Sequence, residues 1–298
     1  MRFADLFCGI GGFRLALERR GHECVFSCDI NKYSRAVYRR VFKEEPQGDV
    51  VNIAGSSVPD HDILCAGFPC QAFATCGKRE GFADARGEVF FELMRIIRAK
   101  RPKILLLENV PGLLMGICKD YFARIREEIE SAGYDFHYSV LKASDFGHAQ
   151  VRERIYFVCF RRPALLKYTE PTPTGMRAVV EDILMDGAFP ELIINRNFVW
   201  ERKITRRRYE IMRIAYYGKR ASQSSSVYSP KGLGVAVTTK GGGHYFINGK
   251  VRKLHPIEIK RLMGYPDEYP VSTGRQGILQ LGNAVIPYMI GKVFDGIQ

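Results

Sequence analysis

No apolar stretch in this chain approaches the roughly 20 residues of a membrane span. The first residues also lack the zones of a secretory leader. A cytoplasmic place of action is therefore expected, away from any membrane. No two of the eight cysteines stand as Cys-x-x-Cys, which argues against structural zinc and a thioredoxin-like pair, so no metal is expected. Several cysteines sit in apolar runs, where a buried, inert thiol is the usual outcome. The chain has neither an internal repeat nor a low-complexity tract.

Acidic residues are scarce: 32 Asp and Glu face 45 Lys and Arg, a formal charge of +13. Such a balance suits a polyanionic partner, most simply nucleic acid, but it also serves solubility. At 298 residues the chain can bury a sizeable core, as one large domain or two unequal ones.

Over the first 160 residues short apolar runs alternate with segments of helical period, the rhythm of a parallel α/β sheet. Strands are expected at Phe3–Phe7, Cys24–Cys28, Asp62–Ala66, Ile104–Leu107 and Ile155–Phe160, and helices at Phe13–Arg20, Tyr33–Phe42, Val89–Lys100 and Tyr121–Ala132. After Arg162 the rhythm fails, and Pro163, Pro171, Pro173 and Gly175 mark a linker. Short β-like runs rich in Gly, Ser and basic residues follow up to Lys253. Between Arg196 and Arg220 nine Lys and Arg accompany two acids, with Phe198, Trp200, Tyr209, Tyr216 and Tyr217 among them. A solvated basic face and a nucleic-acid surface both fit that stretch.

Three segments carry chemistry. The first strand runs into Phe7-Cys8-Gly9-Ile10-Gly11-Gly12, a turn where backbone can approach a ligand closely. Asp29 ends the second strand, where a carboxylate can accept from ribose hydroxyls. By themselves these suit a nicotinamide enzyme equally well, or mere packing. Cys70 follows Gly67-Phe68-Pro69 just past an apolar run, and Glu108 ends another: a nucleophile and a proton manager at two strand tips. An ordinary thiol, with a pKa of about 8.5, is mostly protonated at neutral pH, so a basic neighbourhood such as Lys78, Arg79 and Arg86 would help. Arg152 and Arg154, before the fifth strand, suit a carbonyl or phosphate, or surface ion pairs.

The order of these segments resembles the DNA (cytosine-5) methyltransferases, particularly the compact bacterial restriction-modification type. The resemblance runs nearly end to end: the loop at 7–12, Pro69-Cys70-Gln71, Glu108-Asn109-Val110, Gln150-x-Arg152-x-Arg154, Arg252-Lys253-Leu254-His255-Pro256 with Met263-Gly264-Tyr265-Pro266, and Gly282-Asn283-Ala284-Val285. It implies an α/β, Rossmann-like S-adenosylmethionine-dependent methyltransferase domain at 1–175 and 269–298. A smaller, mostly β target-recognition domain and hinge would span 176–268, with a cleft for duplex DNA between the two. Phe7, Gly9, Gly11, Gly12, Asp29, Ile30, Asp49, Val50, Pro69, Asn283 and Ala284 would line the cofactor, with Asp29 on its ribose and Asp49 on its adenine amine.

By the same resemblance, the target cytosine is flipped from the duplex, Cys70 attacks ring carbon 6, and carbon 5 takes the methyl group, leaving S-adenosylhomocysteine. Glu108 would hold ring N3 and the exocyclic amine; Arg154 would bind O2, with Arg152 supporting nearby. Gln71 to Gly87 is similar to a closing catalytic loop, in which Lys78, Arg79 and Arg86 meet phosphates; Gln223 would enter the vacated stack and Thr238 touch a phosphate. Cys8, Ala74 and Cys76 depart from the usual residues. A monomer is implied, acting on bacterial, archaeal or viral DNA beside a separately encoded restriction endonuclease. Three rivals stay open at this point: a tRNA cytosine-5 methyltransferase on the same scaffold, a nicotinamide oxidoreductase, and a catalytically dead DNA-binding relative.

Overall fold

The computed structural model describes residues 1–69, 88–116, 118–201 and 209–298, and these fall into two compact units. The first comprises Met1–Leu141, Glu153–Pro171 and Pro287–Gln298; the second comprises Lys142–Arg152 and Thr172–Ile286.

In the first unit, strands β1 (Arg2–Leu6), β2 (Glu23–Cys28), β3 (Ile63–Gly67), β4 (Ile104–Asn109), β5 (Tyr134–Lys142) and β6 (Glu153–Arg161) form one sheet, in the order β2-β1-β3-β4-β6-β5. The pairs β1–β2, β1–β3 and β3–β4 are parallel. Their continuous apolar runs, such as Ile63-Leu64-Cys65-Ala66, are buried throughout because helices cover such sheets on both faces. Helices α1 (Gly12–Glu18), α2 (Lys32–Phe42), α3 (Glu88–Lys100) and α4 (Cys118–Ser131) separate the early strands. Asn31 starts α2 by accepting the N–H groups of Tyr33 and Ser34. Leu64, Leu105, Leu107, Leu93, Ile97, Ile125, Ile129 and Phe157 meet in one core, and each such side chain contributes about 1.5–3 kcal/mol by leaving water.

The expected strands and helices all form, with one correction to the sheet. β6 runs antiparallel to β4. The reason is β5, which the apolar pattern does not announce: Tyr134–Lys142 mixes buried and exposed positions irregularly. With β5 inserted after α4, the chain comes back through the sheet in the opposite sense. The C-terminal helix Pro287–Asp295 belongs to this unit, where Arg20 pairs with Asp295 at 2.6 Å and His22 meets the Phe294 ring.

The second unit holds a five-stranded sheet of β7 (Phe198–Trp200), β8 (Arg213–Tyr217), β9 (Ser226–Tyr228), β10 (His244–Ile247) and β11 (Lys250–Lys253), in the order β11-β10-β9-β8-β7. The two-residue Asn248-Gly249 turn closes the β10–β11 hairpin. Two helices follow, α5 (Pro256–Leu262) and α6 (Arg275–Asn283). Segments 142–152 and 269–286 fall with the second unit. Hydrogen bonds to the core of that unit hold both pieces: Gln150 to Leu262, and Arg152 to Val237, Gly282 and Ala284. Among the described residues, no helix is long and apolar enough to cross a membrane.

Candidate active site

β1 ends in a turn that few sequences could make. Phe7 and Gly9 both take φ 54°, Gly11 takes 90°, and α1 begins at Gly12. A Cβ on Gly11 would lie 2.3 Å from the Phe42 ring, so only glycine fits there. The Cys8 N–H donates to Cys28 O at 3.0 Å. The Asp29 carboxylate then joins the two strand tips, accepting from the Gly9 N–H at 2.8 Å and the Asn31 N–H at 2.7 Å. Burial raises the Asp29 pKa even against those two donors. Ile30 follows with 71% of its surface exposed, an apolar side chain left bare beside the carboxylate.

A second carboxylate reaches the same sheet end. Gln47 bridges to β2, its N–H donating to Ser27 O and its carbonyl accepting the Asp29 N–H. Two residues on, Asp49 caps the short 3-10 turn Val50–Asn52 through the Val51 N–H. Arg95 of α3 holds that turn from below, donating to Val50 O at 3.3 Å and Ile53 O at 2.8 Å. The Val50 side chain points into the core, so only its backbone is left to face a ligand, while Val51 is exposed. Two short carboxylates, an exposed apolar side chain and an open glycine turn match the donor and stacking needs of a nucleoside-bearing cofactor. No phosphate nest is required for one that carries no phosphate.

β3 and β4 pair with Gly67 opposite Glu108. The chain therefore leaves β3 through buried Phe68 and exposed Pro69 right beside Glu108. Asn109, 2% exposed, donates to Phe68 O at 3.1 Å and pins that exit. The sequence motif contains Asn109, but nothing in a sequence tells which carbonyl it will meet. Glu108 is 8% exposed, and Arg154 Nε lies 3.0 Å from its Oε1. Cys70, Gln71, Ala74, Cys76, Lys78, Arg79 and Arg86 lie outside the described residues.

Arg152, expected to support Arg154 from nearby, falls in the second unit. It is 3% exposed, and its guanidinium donates to Val237 O at 2.7 Å, Ala284 O at 2.8 Å and Gly282 O at 3.2 Å, all in the second unit. Asn283 is exposed at the end of α6, and Ala284 is buried. Gln223 is exposed, donating to Ala236 O, and Thr238 closes a tight turn with Gly241. Both line a cleft of about 710 Å³ within the second unit, together with Tyr217 and the exposed cations Arg196, Lys240 and Lys253.

Cys8, Cys24, Cys28, Cys65 and Cys159 are buried and free. Burial pushes the thiols of Cys24 and Cys28 up to about 12 and that of Cys8 well above its ordinary value. None of the five is a nucleophile at neutral pH.

A family model described as C-5 cytosine-specific DNA methylase matches residues 1–298. The chain belongs to that family. It is 41% identical over 297 residues to the type II methyltransferase M.HhaI of Haemophilus parahaemolyticus, covering 96% of this chain and 90% of that one. With the type II methyltransferase M.HaeII of Haemophilus aegyptius it shares 36% over 283 residues, covering 94% and 87%. The solved structure of the Entamoeba histolytica methyltransferase EhMeth superposes with a TM-score of 0.76 over 99% of this chain and 97% of that one, at 18% identity. That likeness speaks for the fold alone. Membership makes the chain a DNA (cytosine-5) methyltransferase that needs a methyl donor, and it removes the oxidoreductase reading of the glycine turn. The bacterial type II relatives tie the reaction to DNA rather than tRNA.

Proposed function

We propose that this DNA cytosine-5 methyltransferase acts at one specific duplex sequence, with Cys70 as nucleophile and S-adenosylmethionine as donor. The observation that carries this reading is the Gly67–Glu108 register, with Arg154 3.0 Å from Glu108. It sets the exit toward Cys70 beside a buried, cation-paired carboxylate.

Cytosine in a stacked duplex hides both faces of its ring, so the nucleotide must first be flipped out. The Cys70 thiolate then adds to ring carbon 6, and the electron density released makes carbon 5 nucleophilic. Glu108 holds N3 and the exocyclic amine, where charge changes during the attack, while Arg154 balances the Glu108 carboxylate and meets O2. S-adenosylmethionine, when bound, supplies the electrophilic methyl group that carbon 5 takes up. Loss of the carbon-5 proton and of the Cys70 sulfur restores the aromatic ring. Asp29 accepts from the donor's ribose, Ile30 packs on its adenine and Asp49 accepts from the adenine amine. Phe7, Gly9, Gly11, Gly12, Val50, Pro69, Asn283 and Ala284 complete the lining.

The first unit carries Glu108, Arg154, Asp29 and Asp49, and the second, besides supplying Asn283 and Ala284, selects the target. Gln223 and Thr238 contact DNA in the cleft of the second unit, helped by the phosphate-seeking side chains Arg196, Lys240 and Lys253. Lys78, Arg79 and Arg86 serve the same purpose in the segment after Cys70. The protein acts as a cytoplasmic monomer, paired with a separately encoded endonuclease as the type II names of its relatives imply.

Transfer of tritiated methyl from S-adenosylmethionine to duplex DNA and to tRNA tests the reading, with bisulfite sequencing to locate the product. Labelled 5-methylcytosine at one duplex site is expected. Label in tRNA alone, or at scattered cytosines, would overturn it.

A further inference from the structure

Gln150 and Arg152 share a motif with Arg154, which lies beside Glu108. Gln150 is fully buried. The main chain of Gln150–Val151 pairs in parallel with Gly234–Val235. Where this pairing ends, the two side chains continue it. Gln150 Oε1 accepts the Val237 N–H at 3.2 Å, and Arg152 Nη1 donates to Val237 O at 2.7 Å. Both polar backbone groups of Val237 are thus held by side chains of one short segment, 150–152. A buried backbone group that loses its partner is costly, so Val237 is fixed in register.

Val237 opens directly into the turn Thr238–Gly241. That turn closes by two main-chain bonds, Thr238 N–H to Gly241 O at 3.1 Å and Gly241 N–H to Thr238 O at 2.9 Å, and it presents exposed Thr239 and Lys240 at the cleft. The turn also rests on Gly282, where a Cβ would stand 2.3 Å from Thr238 C and 2.5 Å from Thr239 N, so no larger residue fits. The second Arg152 nitrogen, Nη2, donates to Gly282 O and Ala284 O, the carbonyls on either side of Asn283. Gln150 Nε2 closes the arrangement on Leu262 O at 2.6 Å.

We propose that Gln150 and Arg152 are positioning residues that set the DNA-contacting turn 238–241, with Arg152 also setting Asn283 for the cofactor. Arg152 acts through these carbonyls and does not touch the cytosine. This inference rests on the proposed function, in which Lys240 meets DNA and Asn283 meets the donor. The two residues consequently differ in signature: Gln150 governs DNA alone, Arg152 both ligands.

The test uses the whole protein with its target duplex. Gln150→Met is expected to raise the KM for duplex about tenfold, with kcat within about twofold of wild type and the S-adenosylmethionine Kd unchanged. Arg152→Lys is expected to raise both the duplex KM and the cofactor Kd about tenfold. Combining Gln150→Met with Lys240→Ala should raise the duplex KM no further than Lys240→Ala alone, because both changes act through one turn. Fully additive effects on KM would overturn the inference. So would a kcat collapse in Arg152→Lys with both binding constants held, the mark of a residue touching the reacting base. Should Arg152→Lys not fold, the Gln150 and Lys240 cycle decides. A wild-type protein that leaves duplex DNA unmethylated overturns the functional reading itself, whereas an active wild type with additive variants overturns only this positioning role.

Discussion

Arg154 Nε approaches Glu108 Oε1 to 3.0 Å at the end of β4, with side-chain exposures of 17% and 11%. The pair is nearly dry, so removing either charge alone takes a close counter-charge from the other. Arg154→Ala should therefore cost about 3–5 kcal/mol of stability and lower turnover. Glu108→Gln should lower turnover by about 10²–10³, the usual effect of losing one preorganised contact to developing charge. The combination Glu108→Gln with Arg154→Met should regain stability but not activity. Urea denaturation of the double variant checks this: a protein no more stable than Arg154→Ala would mean that the two side chains are not energetically coupled.

Asp29 predicts a pH dependence. Burial raises its pKa above the ordinary 3.8 despite the Asn31 and Gly9 amides. Ribose hydroxyls donate to the ionised form, so a proton taken up by Asp29 competes with the cofactor. Affinity should fall on acidification, starting at a higher pH than a free aspartate would give. Asp29→Asn should bind S-adenosylmethionine about tenfold more weakly and lose this dependence. Calorimetry between pH 8 and pH 5 reads both, and a variant with the wild-type pH profile would remove Asp29 from the site.

Much of the first unit was legible because its strands are buried on both faces and read as plain apolar runs, from Ile63-Leu64-Cys65-Ala66 to Ile104-Leu105-Leu106-Leu107. β5 was not, because an irregular burial pattern leaves no period to detect. The glycine turn, Asp29 and Glu108 could be picked out because strand ends carry function in such sheets. The roles of Asn109, Arg95 and Arg152 could not, since each bonds to backbone carbonyls, and a carbonyl has no signature in sequence. The resemblance cast Arg152 only as a support for Arg154, two residues on. The bonds that Arg152 makes to Val237, Gly282 and Ala284 depend on segments more than 80 residues away.

Glu258 and Arg252 form a buried bidentate pair, both oxygens at 2.7 Å, with Glu258 fully buried and also accepting the N–H groups of His255 and Met185. Burial alone would raise the Glu258 pKa, but Arg252 and the two amides outweigh it and hold it below the ordinary 4.5. A depressed carboxylate pKa stabilises the fold above the unfolded-state value, and that contribution is lost as pH falls from there through the folded value. Glu258→Gln should cost about 3–5 kcal/mol at pH 7, with the gap to wild type narrowing below pH 4.5. A gap that stays constant between pH 7 and pH 3.5 in denaturant titrations would assign the loss to packing instead.

Duplex affinity should fall steeply with salt, since the cationic cleft and the segment after Cys70 must neutralise phosphates. With about six contacts the log–log slope should be near −5. Lys240→Gln and Lys253→Gln should each flatten it by about one. Fluorescence anisotropy from 50 to 300 mM salt measures the slope, and a flat profile would mean that the +13 charge serves something other than DNA.

Covalent capture tests the central claim most directly. With 5-fluorocytosine at the target, Cys70 can add to carbon 6 and carbon 5 can be methylated, but fluorine cannot depart as a proton does. Elimination stops, and the protein should stay joined to the duplex on a denaturing gel only when S-adenosylmethionine is present. Cys76→Ser should still form the adduct. Cys70→Ser should form none and lose roughly four decades of turnover on ordinary DNA, as removal of a nucleophile does. An adduct in Cys70→Ser, or none in the wild type on its own site, would contradict the mechanism.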